Sequence, residues 1–209
     1  MMDILYLLAI TVEAMTGAIV AGRKQMDPFG ILIIANATAF GGGIIRDVII
    51  NNYPLIWVEH SGLLLVTSFA AISMILIRPW IRYLTTLFLT LDAIGLITFS
   101  IIGAQKALDL GHGYLIATTM AVFTGAFGGV IRDILCNRVP LVFQKELYGS
   151  LAFLTAWLYI GLEQSILPHM VNLLITLAVG VSLRLIAIRM SVNLPLFPFE
   201  NSGDATGND

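Results

Sequence analysis

Displaced by 86 residues, this chain lies over itself. Gly42-Gly43-Ile44-Ile45-Arg46-Asp47 falls on Gly128-Gly129-Val130-Ile131-Arg132-Asp133, and Asn51, Pro54 and Leu55 fall on Asn137, Pro140 and Leu141. Upstream, Gly17-Ala18 matches Gly103-Ala104, Ala21 matches Ala107 and Thr38 matches Thr124, with no gap needed. Apolar composition yields chance Leu, Ile and Ala matches. It does not align a rare Arg-Asp pair together with flanking Gly-Gly and Asn-x-x-Pro-Leu. Two copies of one unit therefore make up most of the chain.

What each copy contains follows from hydropathy. Hydrophobic residues make up 58% of the sequence and charged residues 11%, against about a quarter charged in soluble domains. A soluble protein this apolar would expose large greasy patches. A bilayer core of about 30 Å needs about 20 mostly apolar residues per helix. Seven stretches approach that length: 4–22, 29–51, 61–77, 85–107, 113–136, 146–162 and 168–190. The expected fold is an all-α membrane protein with seven transmembrane helices. Repeat 1 covers about 4–77, repeat 2 about 85–162, and a seventh helix about 168–190, so 1–190 forms a single transmembrane domain. Each copy holds three spans, an odd number, so the second copy must sit upside down, as in many transporters.

The connections carry turn chemistry. Asp27-Pro28 and Arg78-Pro79 open segments; Asn51-Asn52-Tyr53-Pro54 and Asn137-Arg138-Val139-Pro140 close them, because Pro cannot extend a helix. The first span lacks a basic leader, is too long for a signal-peptide core and contains Glu13, so it reads as a retained helix. The tail 191–209, rich in Pro, Asn, Gly and Asp, is expected to be disordered.

Basic residues orient the spans. Arg23, Lys24, Arg78, Arg82, Arg138, Lys145, Arg184 and Arg189 all fall on one side if the N-terminus is outside and the C-terminus cytoplasmic. The opposite loops hold Glu59, His60, Asp109, His112, Glu163 and His169, with Lys106 as the one nearby base.

Several function classes drop out. A net charge of −2 and the lack of a basic patch with interleaved aromatics speak against nucleic acid. Walker-type, Gly-x-Ser-x-Gly and His-Glu-x-x-His motifs are missing, so no enzyme activity and no cofactor are expected. His60, His112 and His169 lie far apart and Cys136 is the single cysteine; no metal centre and no internal disulfide are expected.

The remaining signals concentrate in the second and fifth spans. Gly41-Gly42-Gly43 interrupts one, and Gly125, Gly128 and Gly129 interrupt the other. Each helix-interior Gly costs about 1 kcal/mol against Ala. Two readings are open: a break that frees backbone polar groups toward protein or water, or close helix packing through small residues. The expectation adopted is the break. Arg46, Asp47, Arg132 and Asp133 follow, and each needs a partner or water. Neighbours on a helix do not face each other. Direct Arg46–Asp47 pairing is therefore not expected, and cross-helix pairing with Glu13 or Asp92 is; the plainer alternative is that these charges staple helix ends. Glu13 and Asp92 lie within spans and have no acidic counterpart: Phe99 stands opposite Glu13, and Tyr6 opposite Asp92. Either acid is suited to bind a cation or exchange a proton. Asn36, Thr16, Thr38 and Thr124 add polar lining.

The doubled Gly-Gly-x-x-Arg-Asp motif, each copy followed by Asn-x-x-Pro-Leu, resembles that of small bacterial membrane proteins labelled glycine transporters. Glu13-Ala14-Met15-Thr16-Gly17-Ala18 and Phe143-Gln144-Lys145-Glu146-Leu147-Tyr148 look like one branch of that family. The family is in turn similar to the trimeric intracellular cation (TRIC) channels. The resemblance implies a bacterial inner-membrane protein, a homotrimer in the lipid bilayer, and one pathway per protomer at the broken second and fifth helices, lined by Gly41 to Gly43, Gly128 and Gly129. Phe127 replaces the first glycine of the second copy, and the lysines of the cation-channel pathway have no counterpart beside the glycines. The expected function is secondary transport of glycine or a similar small zwitterion, with a monovalent cation channel as the alternative.

Overall fold

The computed structural model describes residues 2–77, 84–144 and 147–190. They form helices joined by short connections: α1 (Met2–Arg23), α2 (Pro28–Ile49), a single turn α3 (Ile56–Glu59), α4 (Gly62–Ile77), α5 (Leu84–Asp109), α6 (Tyr114–Leu135), a 3-10 turn (Leu141–Phe143), α7 (Gly149–Glu163) and α8 (His169–Met190). By length and composition α1, α2, α5, α6 and α8 can each cross a membrane, while α4 and α7 are shorter apolar helices. The expected Arg78-Pro79 opening, the bases Arg78, Arg82 and Lys145, and the tail 191–209 lie outside the described residues.

The sequence repeat is reproduced in the backbone. α1 ends through Lys24 N–H to Val20 O and Met26 N–H to Ala21 O; α5 ends through Leu110 N–H to Lys106 O and His112 N–H to Ala107 O. α2 and α6 close alike. Asn51 and Asn137 turn left-handed at φ 53° and 49°, a conformation Asn tolerates well. Asn52 N–H and Arg138 N–H then reach back to Asp47 O and Asp133 O, both at 2.8 Å. α2 also has a side-chain cap, Asp27 Oδ1 accepting from Gly30 N–H at 2.6 Å, ahead of Pro28, whose ring suits the first helical position.

Small residues set the packing. A Cβ on Gly17 would meet Ala35 Cα at 2.8 Å, and one on the matching Gly103 would meet Met120 O at 2.6 Å. α1 thus crosses α2 as α5 crosses α6, backbone against backbone, as is common in membranes. α8 stands outside the repeat and rests on α5 and α7 through Gly180, whose Cβ would come 2.7 Å from Ile97. Asn36 Oδ1, accepting from Thr67 Oγ1 at 2.6 Å, ties α2 to α4. Outward-facing Leu65, Phe69, Leu76, Leu115 and Leu174 remain exposed, the apolar surface a helix bundle turns to lipid.

The two expected helix breaks are absent. α2 is continuous helix through Gly41, Gly42 and Gly43, and α6 through Gly125, Gly128 and Gly129. The glycines serve contact instead. A Cβ on Gly42 would overlap the Thr124 carbonyl, and one on Gly128 would meet the Thr38 carbonyl at 2.5 Å. Both helices run unbroken, and at Gly42 and Gly128 the other repeat's backbone fills the space the glycine leaves.

Candidate functional site

The two Arg-Asp motifs lie at opposite faces of the bundle. The end of α2 shares its face with the start of α1 and the end of α5, since Asp3, Arg46, Asp47, Asn52 and Lys106 line one cavity. The end of α6 lies with the end of α1, where Lys24 Nζ donates to Asn137 O at 3.5 Å. This is the inversion that an odd number of helices per copy requires.

At the α6 face Arg132 is wholly enclosed. Its Nε and Nη2 donate to Asp133 Oδ1 and Oδ2, both at 3.1 Å. Nη1 donates to Asp92 Oδ1 at 2.9 Å and to Thr16 Oγ1 at 3.0 Å. Glu13 Oε2 stands 4.0 Å from Nη1 and accepts from Thr16 Oγ1 at 3.1 Å. The ring of Phe88 covers the guanidinium at 4.9 Å. Gly129 lets the arginine lie back along α6, since a Cβ there would come 3.3 Å from Nη2. Cross-helix pairing with Asp92 is as expected.

The adjacent pairs depart from expectation. Arg46 Nε and Nη2 both reach Asp47 Oδ1, at 2.9 and 2.8 Å, and Arg132 binds Asp133 in the same way. Neighbouring Cα–Cβ bonds diverge, but a long arginine folding back over a bare glycine one turn earlier has the reach to close the gap. Asp47 and Asp133 sit in the last turn, where each also accepts from the chain beyond: Asn52 Nδ2 at 3.0 Å and Leu141 N–H at 3.4 Å, respectively.

At the opposite face Arg46 borders a cavity of about 310 Å³, lined also by Asp3, Tyr6, Asp47, Tyr53, Glu59, Ile102, Lys106 and Asp109. The sequence alignment of the repeats shows how this end differs. The positions that supply Asp92, Glu13 and Thr16 to Arg132 supply Tyr6, Phe99 and Ile102 to Arg46. Tyr6 and Phe99 meet edge to face, their centroids 6.1 Å apart. Arg46 is left with Asp47, and its buried Nη1 has no hydrogen-bond partner among the described residues; nor has the buried Tyr6 hydroxyl. Both line the cavity.

Of the residues singled out from sequence, Glu13, Asp92, Arg132 and Asp133 form one cluster, while Arg46 and Asp47 form the other. Gly42 and Gly128 mark the crossing between them. Gly41 lies at the same crossing, where a Cβ would meet Ile131 at 2.5 Å, and Gly125 packs on Ser100 and Leu96 of α5. Gly43 faces open space apart from Arg46 Nη2 at 3.9 Å. Sequence reading missed Tyr6, Tyr148, Gly95 and the loop acids as site residues. Tyr6 was detectable, because the repeat alignment puts it in the place of Asp92.

The profile of the glycine transporter family matches residues 3–79 and again residues 89–164, two stretches whose starts stand 86 residues apart. The chain belongs to the glycine transporter family. Among relatives of this family member, the UPF0126 inner membrane protein YadS of Escherichia coli is 35% identical over 201 residues, covering 92% of this chain and 94% of that one. A UPF0126 membrane protein of Vibrio cholerae is 37% identical over 204 residues, covering 93% and 83%. Among solved structures, a TRIC trimeric intracellular cation channel orthologue from Rhodobacter sphaeroides superposes with a TM-score of 0.87 at 31% identity, covering 91% of this chain and 98% of that one. A second TRIC cation channel structure gives a TM-score of 0.82 at 30% identity, covering 96% and 98%. This member of the glycine transporter family is therefore a TRIC-like membrane protein of a transport family.

Proposed function

We propose that this protein carries glycine or a similarly small zwitterionic amino acid across the bacterial inner membrane, entering through the cavity at Arg46. One observation carries the reading: Arg46 Nη1 and the Tyr6 hydroxyl, both buried, both without hydrogen-bond partners among the described residues, border the same cavity. Unpaired buried donors are costly, and a guanidinium with a neighbouring hydroxyl suits a carboxylate. Asp3, Glu59 and Asp109 line the same space and suit an ammonium group. These side chains take the role that freed helix ends were expected to play.

Passage then requires α2 and α6 to part at Gly42 and Gly128, where backbone meets backbone. A small substrate suits such a crossing. The basic ends Arg23, Lys24, Arg138 and Arg189 lie at the far face; the positive-inside tendency puts that face in the cytoplasm and opens the cavity outward. Homotrimeric assembly is part of the same proposal, supported by likeness to structures described as trimeric.

Glycine uptake and counterflow in proteoliposomes test this. Wild-type protein should take up labelled glycine above empty vesicles, and Arg46→Gln and Tyr6→Phe should each weaken it. No wild-type uptake under any imposed gradient overturns the proposal. The second reading, a monovalent cation channel, is favoured by the TM-score of 0.87 to a cation-channel orthologue. Planar-bilayer recording separates the two, since a channel gives unitary currents and a carrier does not.

A further inference from the structure

The cluster at Arg132 holds more negative charge than its surroundings balance. Glu13 from α1, Asp92 from α5 and Asp133 from α6 are each 1% exposed around Arg132, which is 0% exposed. Arg132 spends its donors on Asp133, Asp92 and Thr16. Glu13 stays 4.0 Å away, and its Oε1 has no hydrogen-bond partner among the described residues. That oxygen points at α5 where Gly95 leaves a notch: a Cβ on Gly95 would overlap it.

The other elements packed around Glu13 bring little compensation. From the start of α7 comes Tyr148, 2% exposed, its hydroxyl also without a hydrogen-bond partner among the described residues. From α8 comes Arg184, whose guanidinium lies 4.8 Å from the Tyr148 ring centroid and donates to Leu147 O at 3.4 Å. α4 carries no charged side chain among its residues, and Arg46 and Asp47 of α2 lie at the opposite face. Arg23, at the end of α1, is exposed and lies over Phe88. Among the described residues, even with Arg184 counted, three carboxyls meet two guanidiniums. One negative charge is left over in a buried site, where a neutral carboxyl is far less costly than a bare carboxylate.

We infer that Glu13 holds one exchangeable proton, and that its release and recovery couple substrate movement to a proton gradient. The coupling half rests on the carrier reading above; the proton itself does not. On release the Glu13 O–H bond breaks, its electron pair stays on the carboxylate, and the proton passes to water. The new carboxylate competes with Asp92 for Arg132 Nη1. The tie between α5 and α6 weakens, and the one between α1 and α6, already made through Thr16, gains an ion pair. Proton return reverses the exchange.

Two measurements test this on the full chain. In the infrared spectrum of purified protein at neutral pH, a protonated-carboxyl stretch should be present in wild type and absent in Glu13→Gln. In proteoliposomes an inward proton gradient should stimulate wild-type glycine uptake, and Glu13→Gln should reduce that stimulation ratio about tenfold or abolish it, within the range of coupled sites. No such band in wild type, a band that survives Glu13→Gln, or equal stimulation of wild type and Glu13→Gln would each overturn the inference. If wild type takes up no glycine, the carrier reading and the coupling fall together, and the infrared result decides on the proton. Should Glu13→Gln not fold, Glu13→Asp decides it: the carboxyl is kept but repositioned, so its stretch should shift in frequency, and an unshifted band would place the proton elsewhere and overturn the inference.

Discussion

Gly42 and Gly128 occupy each other's space at the crossing of α2 and α6: a Cβ on the first would run into the Thr124 carbonyl, and one on the second would stand 2.5 Å from the Thr38 carbonyl. The contact is reciprocal because Thr38 and Thr124 are themselves equivalent in the two repeats. Two continuous helices meet here backbone to backbone, with the Ile131 side chain seated beside them on Gly41.

A methyl group at either position should therefore be destabilising. We expect Gly42→Ala and Gly128→Ala each to lower stability by about 1–3 kcal/mol, the usual cost of overpacking. Gly43→Ala should be neutral or gain up to about 1 kcal/mol from helix propensity, since its nearest neighbour would be Arg46 Nη2 at 3.9 Å. Thermal unfolding in detergent separates the cases; equal losses at all three sites would contradict the crossing.

Removing Arg132 should be worse than removing Arg46. Arg132→Met strands Asp92 and Asp133 in a dry interior, an expected loss of about 3–5 kcal/mol. Arg46→Met leaves Asp47 beside a cavity and still hydrogen-bonded to Asn52, so its loss should be clearly smaller. Denaturation curves of the two variants give the comparison, and a reversed order would refute the assignment of partners.

Asp27→Ala should cost about 1 kcal/mol through loss of the α2 cap, in which the carboxylate accepts from Gly30 N–H at 2.6 Å. Asp27→Asn should recover most of it. The matching position in the second copy, Gly113, has no side-chain cap, so Gly113→Ala should lack this loss. Melting midpoints of the three variants check the contrast.

Cys136, just beyond α6, should label slowly. Burial pushes its thiol up, and the nearby Asp133 carboxylate adds to the effect. The thiolate is the reactive form, so maleimide labelling of folded protein should be slow at neutral pH and rise as the pH is made alkaline. In denatured protein it should be fast. Labelling of the native form at the rate of a free thiol would show that the α6 end is open.

The repeat was legible in the residues because its rarest letters, Arg, Asp, Asn and Pro, recur in register. The structure repeats the same turns, down to the paired left-handed Asn51 and Asn137. The role of the glycines was not legible. A glycine inside a helix records that something comes close or that the backbone departs from helix, and here the deciding object is the carbonyl row of a helix 86 residues away. The adjacent Arg-Asp pairing was missed for a related reason. The rule for neighbouring residues concerns the direction in which side chains leave the helix, and a long arginine beside a glycine has room to turn back. Asp92 was readable as an acid without a counterpart, but its bond to Arg132 depends on how α5 meets α6.

The exchange of Asp92, Glu13 and Thr16 for Tyr6, Phe99 and Ile102 has a consequence for the molecule as a whole. Its backbone is close to indifferent to being turned over, while its chemistry is not: one end keeps a guanidinium locked among acids, and the other leaves one bordering a cavity of about 310 Å³. A bilayer holding these molecules in both orientations would contain two functionally distinct populations. Activity measured in reconstituted vesicles should thus carry a sign set by the direction of insertion.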